Sequence, residues 1–208
     1  VRCVVITGVS RGLGRALAER ALEDPHTWVL GIGRSGFEHE RLRLRACDLS
    51  RPEGLPGADE LRPLLEGAEE VVLIHNAAVV EPIGPIGELD SAAVIDAVNV
   101  NFTSPMLLTN ELVKALGRYP EKTLYISSGA ANRVIDGWSA YSATKRGCEE
   151  FFAHLAQRAL VEIVNPGVMD TGMQVAVRAA TFEGQERFHA LHERGELPDP
   201  ATIAAKII

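Results

Sequence analysis

The chain has only three cysteines, Cys3, Cys47 and Cys148, widely spaced and set among apolar residues. An odd and scattered set excludes a disulfide framework and offers no metal-ligand spacing, so the thiols are expected to be reduced and no metal is expected. Basic charge is also short: 21 Lys and Arg against 28 Asp and Glu leave a formal charge of −7. That sign argues against nucleic acid or an anionic membrane as partner. No apolar run approaches the roughly 20 residues needed to span a bilayer. The opening Val-Arg-Cys-Val-Val carries no charged leader or cleavage site, so the protein is expected to be soluble and cytoplasmic. Repeats and low-complexity segments are absent.

What is present is 208 residues, 46% hydrophobic and 24% charged, ample for one domain with a buried core and short for two. Short apolar runs at Val1–Thr7, Trp28–Gly33, Val71–His75, Thr123–Ile126 and Val161–Val164, with Leu42–Cys47 of alternating character, read as six strands. Helical patterns fall between them: Leu13, Ala16, Leu17 and Leu22 up to Asp24-Pro25, then Leu61–Glu66, Ser91–Leu116 and Tyr141–Arg158. Such alternation predicts an α/β fold, a doubly wound parallel sheet of Rossmann type forming a single domain over residues 1–208, with ligands at the carboxyl ends of the strands. A small helical substrate lid is expected within residues 172–196, with stretches at Val175–Ala180 and Phe188–Glu193 parted by Phe182-Glu183-Gly184. The reversal from the Tyr141 helix into the last strand has no Gly, Pro or Asn, which suggests residues missing there. The end, Pro198–Ile208, stops inside a helical pattern.

Three segments carry chemistry. Tyr141 and Lys145 are four apart, which on a helix stacks a phenol and an ammonium on one face. A phenol titrates near pH ~10, and a close cation favours the phenolate, making a proton donor usable by an enzyme. Such pairs are common on solvated helix surfaces, so the pair needs company. Ser127-Ser128 closes an apolar run, with Ser128 thirteen residues upstream of Tyr141, and Thr7-Gly8-Val9-Ser10-Arg11-Gly12-Leu13-Gly14 follows the first strand. Gly8 ends that strand, Gly12 lets the backbone approach a pyrophosphate, and Gly14 lets the next helix pack on the sheet with its amino end toward the anion.

With Asn76-Ala77-Ala78, Asn101 and the turn Asn165-Pro166-Gly167-Val168-Met169-Asp170-Thr171 in the same order, the chain resembles the short-chain dehydrogenase/reductase family over residues 1–172. Val80–Leu89 and Met169–Gln174 are similar to the branch holding sepiapterin and benzil reductases. The resemblance implies that Tyr141 donates a proton to the substrate carbonyl and that Lys145 lowers its pKa and binds the nicotinamide ribose. It further implies that Ser128 steadies the carbonyl oxygen, and that Asn101, with Asn99 as competitor, shapes the active-site helix and a water path to the lysine. It places Gly8, Ser10, Arg11, Gly12, Leu13, Gly14, Asp48, Leu49, Asn76, Ala77, Pro166, Gly167, Val168 and Thr171 at the cofactor. His75 and Ala78 depart from the usual Asn-Asn-Ala-Gly, and His75 reads as a structural side chain rather than a proton shuttle. Ser104 stands where glycine is usual.

Charge decides the nicotinamide. NAD-binding relatives end the second strand with a carboxylate, whereas here Arg34-Ser35 follows it, and Arg34 with Arg11 suits the 2′-phosphate of NADP(H). The reading is an NADPH-dependent reductase of a small-molecule carbonyl substrate, an aromatic or vicinal diketone or a pterin side-chain ketone. Alternatives are a catalytically silent NADP(H) sensor with a protein partner, and an extended-type sugar-nucleotide epimerase. The apolar loop Pro82–Gly87 is expected to face Val168, Met169 and Met173 across the substrate, with Met173, Phe182 and Phe188 either lining the pocket or packing the lid. A homodimer or homotetramer is expected, with Phe151 or Phe152 of the Tyr141 helix in the contact.

Overall fold

Alternation along each apolar run divides the side chains between two covered faces. The computed structural model describes residues 1–208. Its strands are β1 (Arg2–Thr7), β2 (Thr27–Gly33), β3 (Leu42–Ala46), β4 (Glu70–His75), β5 (Lys122–Ile126) and β6 (Val161–Val164). On β1, Val4 and Ile6 join Val29, Val72, Ile74, Leu124 and Ile126 on one face, beneath Leu13 and Leu17 of α1 (Gly12–Leu22) and Ile203 of α8 (Pro200–Ile207). Cys3 and Val5 join Leu30, Ile32, Val71 and Leu73 on the other, beneath Leu61 of α2 (Ala58–Leu64) and Leu108 and Leu112 of α4 (Ser104–Leu116). Tyr125, Cys148 and Phe152 seat α5 (Ser139–Leu155) beside β5. Burial on both faces is why β1, β2, β4 and β5 are largely apolar, while the edge strand β3 alternates Leu with Arg.

All pairings are parallel, in the order β3-β2-β1-β4-β5-β6. Successive strands are added outward from β1 in one direction and then from β4 in the other. That reversal opens a crevice at the carboxyl ends of β1 and β4. The expected doubly wound single domain is therefore the observed one. No helix is long and apolar enough to cross a membrane.

Three local expectations change. The helix expected over Ser91–Leu116 is α3 (Ser91–Val98), one π turn (Asn99–Thr103) and α4. Pro105 has no N–H to offer the carbonyl four residues back, and that carbonyl, of Asn101, accepts instead from the Cys148 thiol at 3.2 Å. The helix expected at Leu61–Glu66 starts earlier, at Ala58, and ends at Leu64. The reversal after α5 needs no glycine: Arg158 N–H donates to Leu155 O at 2.9 Å and Ala159 N–H to the same oxygen at 3.1 Å, and no non-glycine residue has positive φ.

Two further helices, α6 (Gly172–Ala179) and α7 (Glu186–Glu193), lie over the sheet's carboxyl edge. They bring Val177, Phe182 and Phe188 into one apolar cluster with Val80, Ala130, Trp138 and Tyr141.

Candidate active site

At the end of β5 the backbone of Ser127 still bonds Val164 O, at 2.8 Å, and Ser128 then caps a 3-10 turn, its hydroxyl accepting from Ala130 N–H at 3.2 Å. α5 brings Tyr141 against this corner. Tyr141 is 5% exposed, and of the two serines it is the Ser128 hydroxyl that acts on its phenol. Burial raises the Tyr141 pKa, and Ser128 opposes that rise.

Lys145, one helical turn on, is 2% exposed. Its ammonium donates to Ile126 O at 2.7 Å and stands 5.8 Å from the Tyr141 ring centroid and 5.0 Å from that of Tyr125. Burial lowers its pKa from 10.5 to about 8, opposed by Cys148 and Glu149. The sequence predicts a phenol made more acidic by the lysine. In this structure burial raises it instead, and Ser128 rather than Lys145 supplies the lowering influence.

Asn101, in the π turn, is 1% exposed. Its Nδ2 donates to Val79 O at 2.7 Å and its Oδ1 accepts from Val79 N–H at 2.8 Å, while Nδ2 also reaches Thr144 Oγ1 at 3.3 Å beside Tyr141. The competing Asn99 points elsewhere, donating to Ser50 O at 3.0 Å. Ser104 is also occupied, donating to Leu49 O at 2.6 Å, so these two side chains hold the Leu49-Ser50 segment beyond β3. His75 is buried with Nε2 2.8 Å from Thr109 Oγ1 and lies against Phe152. Burial and then the Lys145 charge depress its pKa to about 3, which keeps it neutral at working pH.

The Gly-rich turn is clasped by β4. Thr7 Oγ1 accepts from Asn76 and Ala77 N–H, both at 3.0 Å, and Asn76 Nδ2 donates to Thr7 O at 3.1 Å and Gly8 O at 3.2 Å. A Cβ on Gly14 would stand 2.0 Å from Gly8 O and 2.3 Å from Asn76 Nδ2, so α1 approaches the sheet as only glycine permits. Gly8 and Gly12 have φ of 76° and 56°. Leu13 is buried in the core and Ser10 is half-buried.

Several observations fit this corner to a dinucleotide. α3 and α8 start with aspartate caps, whereas α1 has no side-chain cap and no acid in its first turn, leaving its amino end available to phosphate. Arg11 and Arg34 are exposed and take no part in the ion pairs that engage arginines such as Arg15, Arg45 and Arg51. Asp48, beyond β3, has a lowered pKa from the Ser50 backbone and hydroxyl bonds, with Arg34 assisting, and Leu49 is buried beside it. After β6, Gly167 turns with φ of 76°, Pro166 and Val168 are half-buried, and Thr171 closes on Gly12 with its Cγ2 3.3 Å from where a Gly12 Cβ would be. The Arg11 guanidinium lies over Gly172.

Above Tyr141 the wall is aromatic. Trp138 stands edge-on to Tyr141 with centroids 5.6 Å apart, stacks on Phe188 at 5.7 Å and meets Phe182 at 5.9 Å. Phe182 and Phe188 thus pack the lid onto the domain. Val168, Met173 and Ile83 border that cluster, but Met169 does not face the Pro82–Gly87 loop as expected; it is buried in the core under α1. Phe152 also turns inward, fully buried and stacked on Tyr125, so of the two expected contact residues only Phe151 retains exposure. A cavity of about 580 Å³ opens beyond the Ser128–Tyr141 corner, between Gly84–Ile86, the 130–137 loop and Ser142, but neither Tyr141 nor Lys145 lines it. Trp138 escapes notice in the sequence, while Thr7 and Ser104 are named there without the hydrogen bonds that give them their place at the site.

Comparison with known proteins agrees with this geometry. The family described as short chain dehydrogenase matches residues 60–181. A benzil reductase ((S)-benzoin forming) of Bacillus subtilis is 33% identical over 222 residues, covering 98% of this chain and 90% of the relative. That alignment is longer than this chain, so some positions of the relative have no counterpart here. A sepiapterin reductase of Xenopus tropicalis is 30% identical, with 98% and 88% covered. The crystal structure of a short chain dehydrogenase/reductase from Saccharomyces cerevisiae superposes with a TM-score of 0.83 at 27% identity, covering 97% of this chain and 86% of that one.

Proposed function

The chain belongs to the short-chain dehydrogenase family and is an oxidoreductase, and from that premise we propose that it is an NADPH-dependent carbonyl reductase of aromatic or vicinal diketones, or of a pterin side-chain ketone. The observation that carries the reading is the burial of Tyr141 and Lys145 one turn apart on α5, with the Lys145 ammonium bonded to Ile126 O and 5.8 Å from the Tyr141 ring centroid, beside Ser128 where β5 ends. A silent sensor has no use for a buried donor pair of this kind, with the cost that burying unneutralised polar groups carries.

When bound, NADPH supplies the hydride. Arg34 and Arg11 hold the 2′-phosphate, and the uncapped amino end of α1 faces the pyrophosphate. Ser128 and Tyr141 donate hydrogen bonds to one carbonyl oxygen, and Tyr141 passes its proton to that oxygen as charge develops. Lys145, kept charged below about pH 8, stabilises the resulting phenolate. Trp138, Ile83, Val168 and Met173 form an apolar wall that suits a flat aromatic ketone and offers no charge to a sugar or an acid. The two relatives act on substrates of this kind by name. Because only one carbonyl is gripped, the product is a hydroxyketone, and a carbonyl held with one face to the hydride donor would give it as a single enantiomer. The reduced thiols suit a cytoplasmic setting, and the exposed part of Phe151 suits a homodimer contact along α5.

Purified protein assayed with benzil, sepiapterin, a 3-ketoacyl thioester and a sugar ketone, following NADPH and resolving products on a chiral column, tests this. Tyr141→Phe is expected to lower turnover by orders of magnitude while NADPH still binds. Better turnover of the thioester or sugar, or racemic benzoin, would overturn the substrate reading; near-normal turnover in Tyr141→Phe would overturn the mechanism.

A further inference from the structure

We propose that Glu149 is a positioning residue of this site, a single carboxylate that fixes the segment carrying Ser128 and acts on Lys145 from the same helix face. The inference rests on the reading of Ser128 and Lys145 given above.

Glu149 follows Lys145 by four on α5, so the two side chains share a helix face. One carboxylate oxygen accepts from Ser127 Oγ at 2.5 Å and the other from Asn132 Nδ2 at 3.2 Å. Those two donors bracket Ser128 and the turn that follows it. Ser127 is 3% exposed and already tied through its backbone to β6, so a charge-assisted bond to its hydroxyl fixes the peptide that orients Ser128. Asn132 ends the 3-10 turn that Ser128 caps. One side chain of α5 therefore clamps both ends of the segment whose serine must meet Tyr141 of the same helix.

The second role follows from what surrounds Lys145. From β4 it meets His75, which burial keeps neutral. From β5 it meets Tyr125, whose phenol burial pushes far above its ordinary value. On α5 itself stand Tyr141, also raised, and Cys148, whose thiol burial pushes up to about 11. All four are uncharged at neutral pH. Against the burial that drives the proton off Lys145 stand Cys148 and then Glu149, and of the two Glu149 is the carboxylate, one turn on along the same helix face.

Two variants separate the roles. Glu149→Gln keeps hydrogen-bonding capacity toward Ser127 and Asn132 but removes the charge; Glu149→Ala removes both. Direct 13C NMR titration of the lysine side chains reads the ammonium without catalysis, and with four lysines in the chain the Lys145→Met variant identifies the signal. In Glu149→Gln the Lys145 pKa is expected to fall by roughly half to one unit, and the alkaline limb of the kcat profile to move down with it. In Glu149→Ala the same shift is expected together with a further loss of kcat of about tenfold and little change in KM for NADPH, since Ser128 then loses its clamp. Glu149→Asp is expected to restore the Lys145 pKa. A Lys145 titration unmoved in Glu149→Gln, or a kcat loss in Glu149→Ala no larger than in Glu149→Gln, would overturn the proposal. Absence of ketone reduction in the unsubstituted protein would instead indict the functional reading and leave the NMR titration to judge Glu149.

Discussion

Lys145→Met is expected to make the protein more stable and catalytically dead. The straight stem of methionine fills the volume of the lysine stem, so the change is chiefly removal of a buried charge. The folded pKa of Lys145, about 8 against an ordinary 10.5, measures what that charge costs. At ~1.4 kcal/mol per unit, the gap corresponds to about 3 kcal/mol of destabilisation at neutral pH. Methionine cannot replace the hydrogen bond to Ile126 O, and the orphaned carbonyl removes about 1 kcal/mol of the gain. The net expectation is about 2 kcal/mol, best read as a shift in urea midpoint at pH 7. The sign also fixes a pH signature. Between pH 8 and 10.5 the unfolded chain holds a proton on Lys145 that the folded chain has released, so stability contributed at this site rises with pH through that window. The advantage of the methionine variant is therefore widest below pH 8 and shrinks toward pH 10.5. A variant less stable than the parent at pH 7, or an advantage that does not change between pH 7 and pH 10, would refute the argument.

Gly14→Ala should force α1 off the Gly8 carbonyl, costing about 1–3 kcal/mol in urea denaturation and at least tenfold in NADPH affinity by fluorescence titration; parental values for both would refute the reading of the turn. Arg34→Asp should invert the preference of kcat/KM from NADPH to NADH, because a charge-assisted bond to the 2′-phosphate is worth about 1.5–3 kcal/mol; equal use of both cofactors by the parent would contradict the assignment. Phe151→Glu should convert a dimer to a monomer in light scattering at micromolar concentration, and a strictly monomeric parent would remove the expected α5 contact.

The four inner strands β1, β2, β4 and β5 were legible because both faces are covered and each shows as an apolar run, and the Gly-rich turn because its backbone demands glycine at Gly14. The Ser128, Tyr141 and Lys145 spacing survived for a similar reason: two of the three share a helix and the third closes the neighbouring strand. What failed to show depends on partners far away in the chain. The π turn is marked locally by Pro105 alone, and the bonds of its Asn101 to Val79 reach a segment 22 residues away. Met169 and Phe152 look alike in sequence whether they face a pocket, a second subunit or the core, because one apolar residue carries no direction by itself. The reversal after α5 is made by overlapping bonds to Leu155 O, a turn that local residue types do not announce.

Asn101 engages Val79 through both backbone groups, and in doing so its carboxamide imitates a peptide unit of a neighbouring strand. The chain leaving β4 has run out of sheet partners, and a helix lends it one made of side chain. Such a contact recognises the main chain at position 79 and is indifferent to what side chain is carried there. Exchange of Val79 for another β-branched or aliphatic residue should therefore be tolerated, whereas at position 101 even aspartate, equal in size, can match only one of the two bonds because it has no N–H to donate.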